Sequence, residues 1–242
     1  MALLDDLAAL LGPQGCLAGD RVPEAARSDM RRSWRALPPA LLRPATLEEV
    51  SRALALCHAV GQTVVPHGGM TGLAGGANPR ADDVALSLQR LTGIEEIDRE
   101  AATMTLKAGT VLQTAQEAAA EAGFLFPVDL GARASCTVRG NIATNAGGLR
   151  VIRDGMTRDN ILGLEVALAD GTVLTSLGKT VKNNTGYDLR HLFAGSEGTL
   201  GVITRAVVRL RPLPAPRGTV LAALHDIDET RTPYSGFTQA SR

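Results

Sequence analysis

Apolar positions along this chain fall into helical and strand spacings, and the two alternate through its first half. Residues 2–11, "ALLDDLAALL", carry apolar side chains at helical spacing, and Gly12-Pro13 stops them. Thr46-Leu47-Glu48-Glu49 is a capping-box pattern, and Leu47, Val50, Leu54 and Cys57 follow at intervals of three, four and three. Gly61 closes that helix, and "QTVVP" (62–66) reads as a short strand. Further strands are expected at Val84–Leu88, Ile94–Ile97 and Thr103–Lys107. "GTVLQTAQEAAAEAG" then predicts a helix ended by Gly123. The second half is richer in antiparallel signals. "ILGLEVALADGTVLTSL" is two strand-like runs turning at Asp170-Gly171. "YDLRHLFAG" predicts a short helix ended by Gly195, and "LGVITRAVVRLRP" a long strand stopped by Pro212. The order of elements implies an α+β fold with two subdomains meeting near residue 100.

Glycine interrupts this pattern in three places. "VVPHGGMTGLAGG" (64–76) places Gly68, Gly69, Gly72, Gly75 and Gly76 directly after a strand. Successive backbone N–H groups in such a loop can converge on an anion, but a plain turn-rich loop has the same composition. Two familiar phosphate motifs are excluded. A P-loop needs GxxxxGK[ST], and no lysine or arginine lies between Gly68 and Asn78. A Rossmann turn needs GxGxxG opening a helix, and neither is present. "TVRGNIATNAGGLR" (137–150) repeats the glycine signal with Asn141, Thr144 and Asn145, whose amides and hydroxyl can hydrogen-bond a polar heterocycle or its phosphates. "AGSEGTLGVIT" (194–204) does so beside a strand. Three such loops suit an elongated ligand with a phosphate portion and a flat polar ring.

Composition narrows the ligand class. The 242 residues hold 25 basic and 25 acidic side chains, and aromatics are 3%. A neutral, aromatic-poor chain lacks the charge and the stacking platforms of a nucleic-acid binder. Cys16, Cys57 and Cys136 are scattered, which fits a reducing compartment rather than a disulfide framework. The start carries Asp5 and Asp6 with no basic n-region, and no apolar run has the length of a membrane span, so the cytoplasm is the expected location. His58, His67, His191 and His225 form no ligand-spaced pair, and no metal site is expected. Ala194-Gly195-Ser196-Glu197-Gly198 misses the GxSxG nucleophile elbow, because alanine stands two residues before Ser196. His58 reads as a structural residue inside its helix. Cys136 reads as a packing residue, with no basic activator adjacent in sequence.

The segments "PHGGMTGLAGG", "FPVDLGARASCTVRGNIATNAGGLR", "GMTRDNILGLEVALADG" and "GYDLRHLFAGSEGTLGVIT" occur in one order across roughly Pro39 to Pro214. In that order they resemble the FAD-binding domain of the vanillyl-alcohol-oxidase/PCMH flavoprotein superfamily. The likeness is to its FAD-linked oxidase branch, which includes D-lactate dehydrogenase, the glycolate oxidase flavoprotein subunit and D-2-hydroxyglutarate dehydrogenase. The resemblance implies non-covalent FAD between two α+β subdomains, spanning about 39–100 and 101–214, behind an N-terminal helical segment over 1–38. Pro66, His67, Gly68, Gly69, Met70, Thr71, Gly72 and Leu73 match the family's pyrophosphate loop. Pro127, Asp129, Ser135, Gly140, Asn141, Thr144, Asn145, Gly147 and Gly148 match the segment running along the diphosphate and ribityl chain to the ring. Glu197, Gly198 and Ile203 match a later strand motif that contacts the cofactor.

Several positions depart from the family pattern. Arg139 stands where glycine is usual, and Met70 where asparagine or glycine is commoner. Arg139 could crowd the cofactor or pair with its phosphate. His67 does not coincide with the histidine that carries covalent flavin in some relatives. Only 28 residues follow Pro214. "RGTVLAALHDID" reads as the first strand of a substrate domain and the polar remainder lacks periodicity, so 215–242 is expected to be a truncated domain start. The implied activity is oxidation of a D-2-hydroxy acid, with hydride passing to flavin N5. The alternative is a flavin-binding module without turnover of its own, or one completed by a partner chain. No catalytic base is identified in these residues. The expected partners are a small 2-hydroxy acid, an unidentified electron acceptor, and a second copy or a partner subunit.

Overall fold

The computed structural model describes residues 2–32, 35–214 and 226. The expected domain start over 215–242 therefore lies, apart from Asp226, outside the described residues. Two sheets organise the rest. The first is built from α1 (Ala2–Gly15), β1 (Cys16–Ala18), β2 (Ala40–Leu42), α2 (Leu47–Ala59), β3 (Val64–His67) and β4 (Val84–Ser87). Its strand order is β1-β2-β4-β3, with β2, β3 and β4 parallel and β1 antiparallel to β2. The 1–38 segment thus joins this sheet through β1.

Local chemistry sets the helix ends. In α1 the backbone breaks at Gly12 (φ 68°), where only glycine is unstrained, and Pro13–Gly15 adds one further turn. At α2 the Thr46 hydroxyl accepts from Glu49 N at 3.1 Å. The Glu49 carboxylate reaches back to Ala45 N at 2.6 Å, one residue earlier than in the usual reciprocal box. Val50, Ala53, Leu54 and Cys57 bury the helix against the sheet, while Leu47 stays half-buried. Gly61 (φ 69°) closes it, donating to His58 O, and His58 itself is exposed in the last turn.

The second sheet takes β5 (Ile94–Asp98), β6 (Thr103–Lys107), α3 (Leu112–Glu121), β7 (Phe124–Leu125), α4 (Val138–Ala143), α5 (Val151–Asp154), β8 (Ile161–Ala167), β9 (Val173–Ser176), α6 (Leu189–Phe193), β10 (Val202–Arg209) and β11 (Arg211–Pro212) as its chain. Five of these strands form an antiparallel sheet in the order β5-β6-β10-β8-β9, and β7 pairs with β11 separately. The change of sheet falls between Ser87 and Ile94, because β5 already pairs with β6. The strand expected to run on to Pro212 ends at Arg209. The next residue's amide, Leu210 N, donates to Ala102 O, and Arg211–Pro212 crosses to Phe124–Leu125.

The sheets share a core. Ala167 and Val202 of the second pack with Leu42, Val50, Leu54 and Leu86 of the first. The β8–β9 turn docks on α2, with Ser51 Oγ donating to Gly171 O at 2.5 Å. Gly171 has φ 87°, and a Cβ there would lie 2.7 Å from Ser51 O. On β8 the buried Glu165 is held across the ladder by Arg205, whose Nε donates at 2.9 Å, and by the Thr204 hydroxyl at 2.9 Å. A fully buried carboxylate requires such partners.

Candidate functional site

The glycine loop leaves the C-terminal end of β3 and faces α4. Between them lies a cavity of about 590 Å³. Pro66, Gly68, Gly69, Met70, Thr71, Gly72 and Leu73 line one wall, and Gly140, Asn141 and Thr144 line the other with Glu197. Of the residues singled out in the sequence, these are brought together. Asp29, Ala74–Ala77, Leu130–Ala132, Cys136, Thr137, Arg139, Ala143 and Ala146 complete the lining.

Close approach explains two of the glycines. A Cβ on Gly69 would overlap Ser135 O and lie 2.8 Å from Cys136 Cα. One on Gly68 would lie 2.9 Å from Thr137 Oγ1. These glycines let the loop press against the chain entering α4. Gly72 differs, because a Cβ there would meet nothing within 4 Å. Among the described residues, the amides of Gly69 through Ala74 donate to no protein acceptor. The loop therefore presents a run of free donors beside the cavity, an arrangement that suits an anion.

The amides of α4 are already engaged. Val138 N donates to Thr110 O at 2.9 Å, Arg139 N to Ala108 O at 2.7 Å, and Gly140 N to the Thr137 hydroxyl at 3.3 Å. The segment read as a glycine loop is thus partly helical, and Thr137 is its N-cap. Met70 has φ 55° and Glu197 φ 53°, left-handed conformations that side chains other than Asn and Asp seldom adopt. The first accounts for the asparagine or glycine commoner at that position.

Asp29 holds the loop from outside it. Its carboxylate accepts from Gly75 N at 3.0 Å and Arg31 N at 3.1 Å, and its own amide donates to Asn78 Oδ1 at 2.6 Å. Sequence reasoning missed it because it lies 46 residues before Gly75; no local pattern marks it.

The remaining candidates stand around the cavity rather than in its lining. His67 is 2% exposed, and its Nε2 has no partner among the described residues. Burial, reinforced by the Arg139 charge, pulls its pKa down to about 4, so the ring is neutral at physiological pH. Asp129 pairs with Arg133 at 3.2 Å and Arg150 at 3.4 Å. Ser135 offers its carbonyl to the Gly69 contact, and no hydrogen bond of the Pro127 carbonyl is among those of the described residues. Asn145 (φ 45°) accepts from Arg158 N at 2.9 Å, while the Arg158 guanidinium binds His191 O at 2.8 Å and Ala194 O. Gly147 packs on Met156, and Gly148 (φ 130°) lies against Asp129 O. Gly198 (φ 84°) gives room to Arg139 and Pro66, and Ile203 is buried in the sheet core.

Arg139 is the cation of this cavity. It is 3% exposed, its Nη1 donates to Pro66 O at 3.2 Å, and its Nε has no partner among the described residues. Burial pushes its pKa down to about 10, and among the described residues no carboxylate offsets that cost. Among the described residues Asn141 Nδ2 is a second buried donor without an oxygen or nitrogen acceptor, and its side chain sits beside the Cys136 thiol. Burial also raises the Cys136 thiol above its ordinary value, which leaves it a packing residue. Free loop amides, an uncompensated guanidinium and the Asn141 and Thr144 wall fit a dinucleotide carrying a diphosphate and a polar ring. Among the described residues no group of His, Cys, Asp or Glu could hold a metal ion, and no helix is long and apolar enough to cross a membrane.

Known proteins match this arrangement. The family model described as FAD binding domain covers residues 38–176. Mitochondrial D-2-hydroxyglutarate dehydrogenase of Bos taurus is 45% identical over 213 residues, which is 87% of this chain and 39% of that protein. D-2-hydroxyglutarate dehydrogenase of Xanthomonas citri is 43% identical over 209 residues, 86% of this chain and 44% of that protein. A putative mitochondrial D-lactate dehydrogenase of Schizosaccharomyces pombe is 43% identical over 185 residues, 76% of this chain and 35% of that protein. The chain thus spans about two fifths of the length of these curated relatives. In fold, it superimposes on a solved alkyldihydroxyacetonephosphate synthase with a TM-score of 0.78 and 21% identity, over 89% of this chain and 41% of that one. The α+β sheets, the glycine loop facing α4 and the family match over more than half its length agree: the chain belongs to the FAD binding domain family of the vanillyl-alcohol-oxidase/PCMH flavoproteins.

Proposed function

We propose that this chain is the FAD-holding part of an oxidoreductase that converts a D-2-hydroxy acid to its 2-oxo acid. One observation carries the reading: a cavity bounded by unpaired loop amides and by α4, in a chain 45% identical to a D-2-hydroxyglutarate dehydrogenase. FAD, when bound, supplies the hydride acceptor. The chain's own part is to hold and orient it. The amides of Gly69 to Ala74 take the diphosphate, and Asn141 and Thr144 offer polar contacts to the rest. Asp29 fixes the loop through Gly75. Leu130, Ala132, Ala143 and Ala146 supply apolar wall that excludes water.

Oxidation of the alcohol also needs a group to accept the hydroxyl proton. The titratable side chains lining the cavity are Asp29, Cys136, Arg139 and Glu197. Asp29 is tied to backbone amides, and the Cys136 thiol is shifted away from ionisation. His67 is neutral but buried outside the lining. This supports a second reading, in which the chain binds flavin but turns over only with residues outside those described or from a partner chain. Anaerobic mixing of the FAD-loaded chain with D-2-hydroxyglutarate separates them. Bleaching of the flavin band by the D- and not the L-acid supports the first. Bound flavin that stays oxidised supports the second, and no bound flavin contradicts both.

A further inference from the structure

Arg139 is a buried cation with no counter-charge among the described residues. Among the described residues it makes no ion pair, and its single side-chain hydrogen bond goes to a neutral carbonyl, Pro66 O. Its Nη2 lies against Gly198, where a Cβ would come within 2.9 Å. Pro66 and Gly198 thus hold the guanidinium from two sides, its Nε is buried without a partner among the described residues, and Arg139 is one of the residues that line the cavity. The cavity's two carboxylates do not neutralise it: Asp29 is satisfied by Gly75 N and Arg31 N, and Glu197 extends towards Gly76. A protein gains nothing in stability from a buried, unpaired guanidinium, so the arrangement calls for an anion from outside the chain.

We propose that Arg139 supplies the counter-charge for the diphosphate of the bound dinucleotide, adding a charged contact to a loop that otherwise offers only backbone amides. The inference rests on the reading of the cavity as the FAD site. It selects for ligands carrying phosphate: FAD and ADP share the contact, and riboflavin lacks it. Arginine suits the role because it stays charged when buried and presents several donors in one plane.

The test compares the full chain with its Arg139→Met and Arg139→Lys variants, titrating FAD, ADP and riboflavin and recording the melting temperature without ligand. Loss of one charged hydrogen bond to phosphate weakens FAD and ADP by roughly tenfold to a hundredfold in R139M. R139K is expected to fall between, with affinity that decreases with added salt. Riboflavin binding stays within about twofold of the unaltered chain, since no phosphate is involved. Ligand-free R139M melts at the same temperature or higher, because an uncompensated buried charge has been removed. FAD affinity unchanged in R139M overturns the inference while leaving the flavin site intact. Equal losses for ADP and riboflavin, with a lower ligand-free melting temperature, overturn it in favour of a structural role. If the unaltered chain binds ADP but not FAD, the anion contact stands and the flavin reading falls. If it binds neither, both fall.

Discussion

Gly69→Ala isolates why glycine is needed where the loop meets α4. The added Cβ would overlap the Ser135 carbonyl oxygen and lie 2.8 Å from both Cys136 Cα and Ser135 C. All three are backbone atoms, so no side chain can swing aside. Gly69 is not in the left-handed region, and removing a glycine there would otherwise stabilise by about 0.4–1 kcal/mol through the unfolded chain. The steric term opposes that gain. Overpacking against a fixed wall costs about 1–3 kcal/mol, which for a chain of this size lowers the melting temperature by roughly 3–10 °C. Gly72→Ala is the control, since its Cβ meets nothing within 4 Å. That variant loses a glycine without the clash and is expected to melt with the unaltered protein or slightly above it, while its FAD affinity reads the effect of a methyl group on a residue that lines the cavity. Differential scanning calorimetry without ligand, paired with FAD titration, reads both effects. A Gly69→Ala protein that melts unchanged and binds FAD normally would show that the Ser135 backbone does not require glycine at this position.

Other residues give independent tests. His67 is held neutral to about pH 4 when folded but titrates near 6.5 when unfolded. The unfolded state binds the extra proton, so stability present above pH 6.5 is lost as pH falls towards 4, by on the order of 3 kcal/mol. Denaturant titrations from pH 7 to 4 should show this slope reduced in His67→Gln. Glu165→Ala should destabilise by about 3 kcal/mol in urea unfolding, since it strips the buried partner from Arg205. Asp29→Ala releases Gly75 N, and should weaken FAD several-fold and speed amide exchange at Gly75 and Asn78 while leaving the α2 amides unchanged.

Where the determinants are local, the fold is readable in the residues. Thr46 and Glu49 mark the start of α2, Gly61 and Gly123 have the positive φ that ends a helix, and Asp170-Gly171 turns a real hairpin. The exceptions have non-local causes. α4 carries Gly140 inside it and is stabilised by Ala108 and Thr110 carbonyls from the preceding segment, which no helical period records. β1 and β11 are three and two residues long, too short for alternation to show. At the site, the sequence pattern found the glycine loop and the Asn141–Thr144 wall. Asp29 reaches the loop only through tertiary contact, and Pro127, Asn145 and Gly148 match a linear motif whose members the fold distributes around the cavity instead of into it.

If the cavity is the cofactor site, FAD occupies the space between the 68–77 loop and α4. Amide hydrogen exchange by mass spectrometry, with and without saturating FAD, tests it directly. Protection is expected in peptides covering 68–77 and 130–146, with the β5 and β6 strands unchanged. No protection in either peptide, or protection confined to the segment over 176–190, would contradict it.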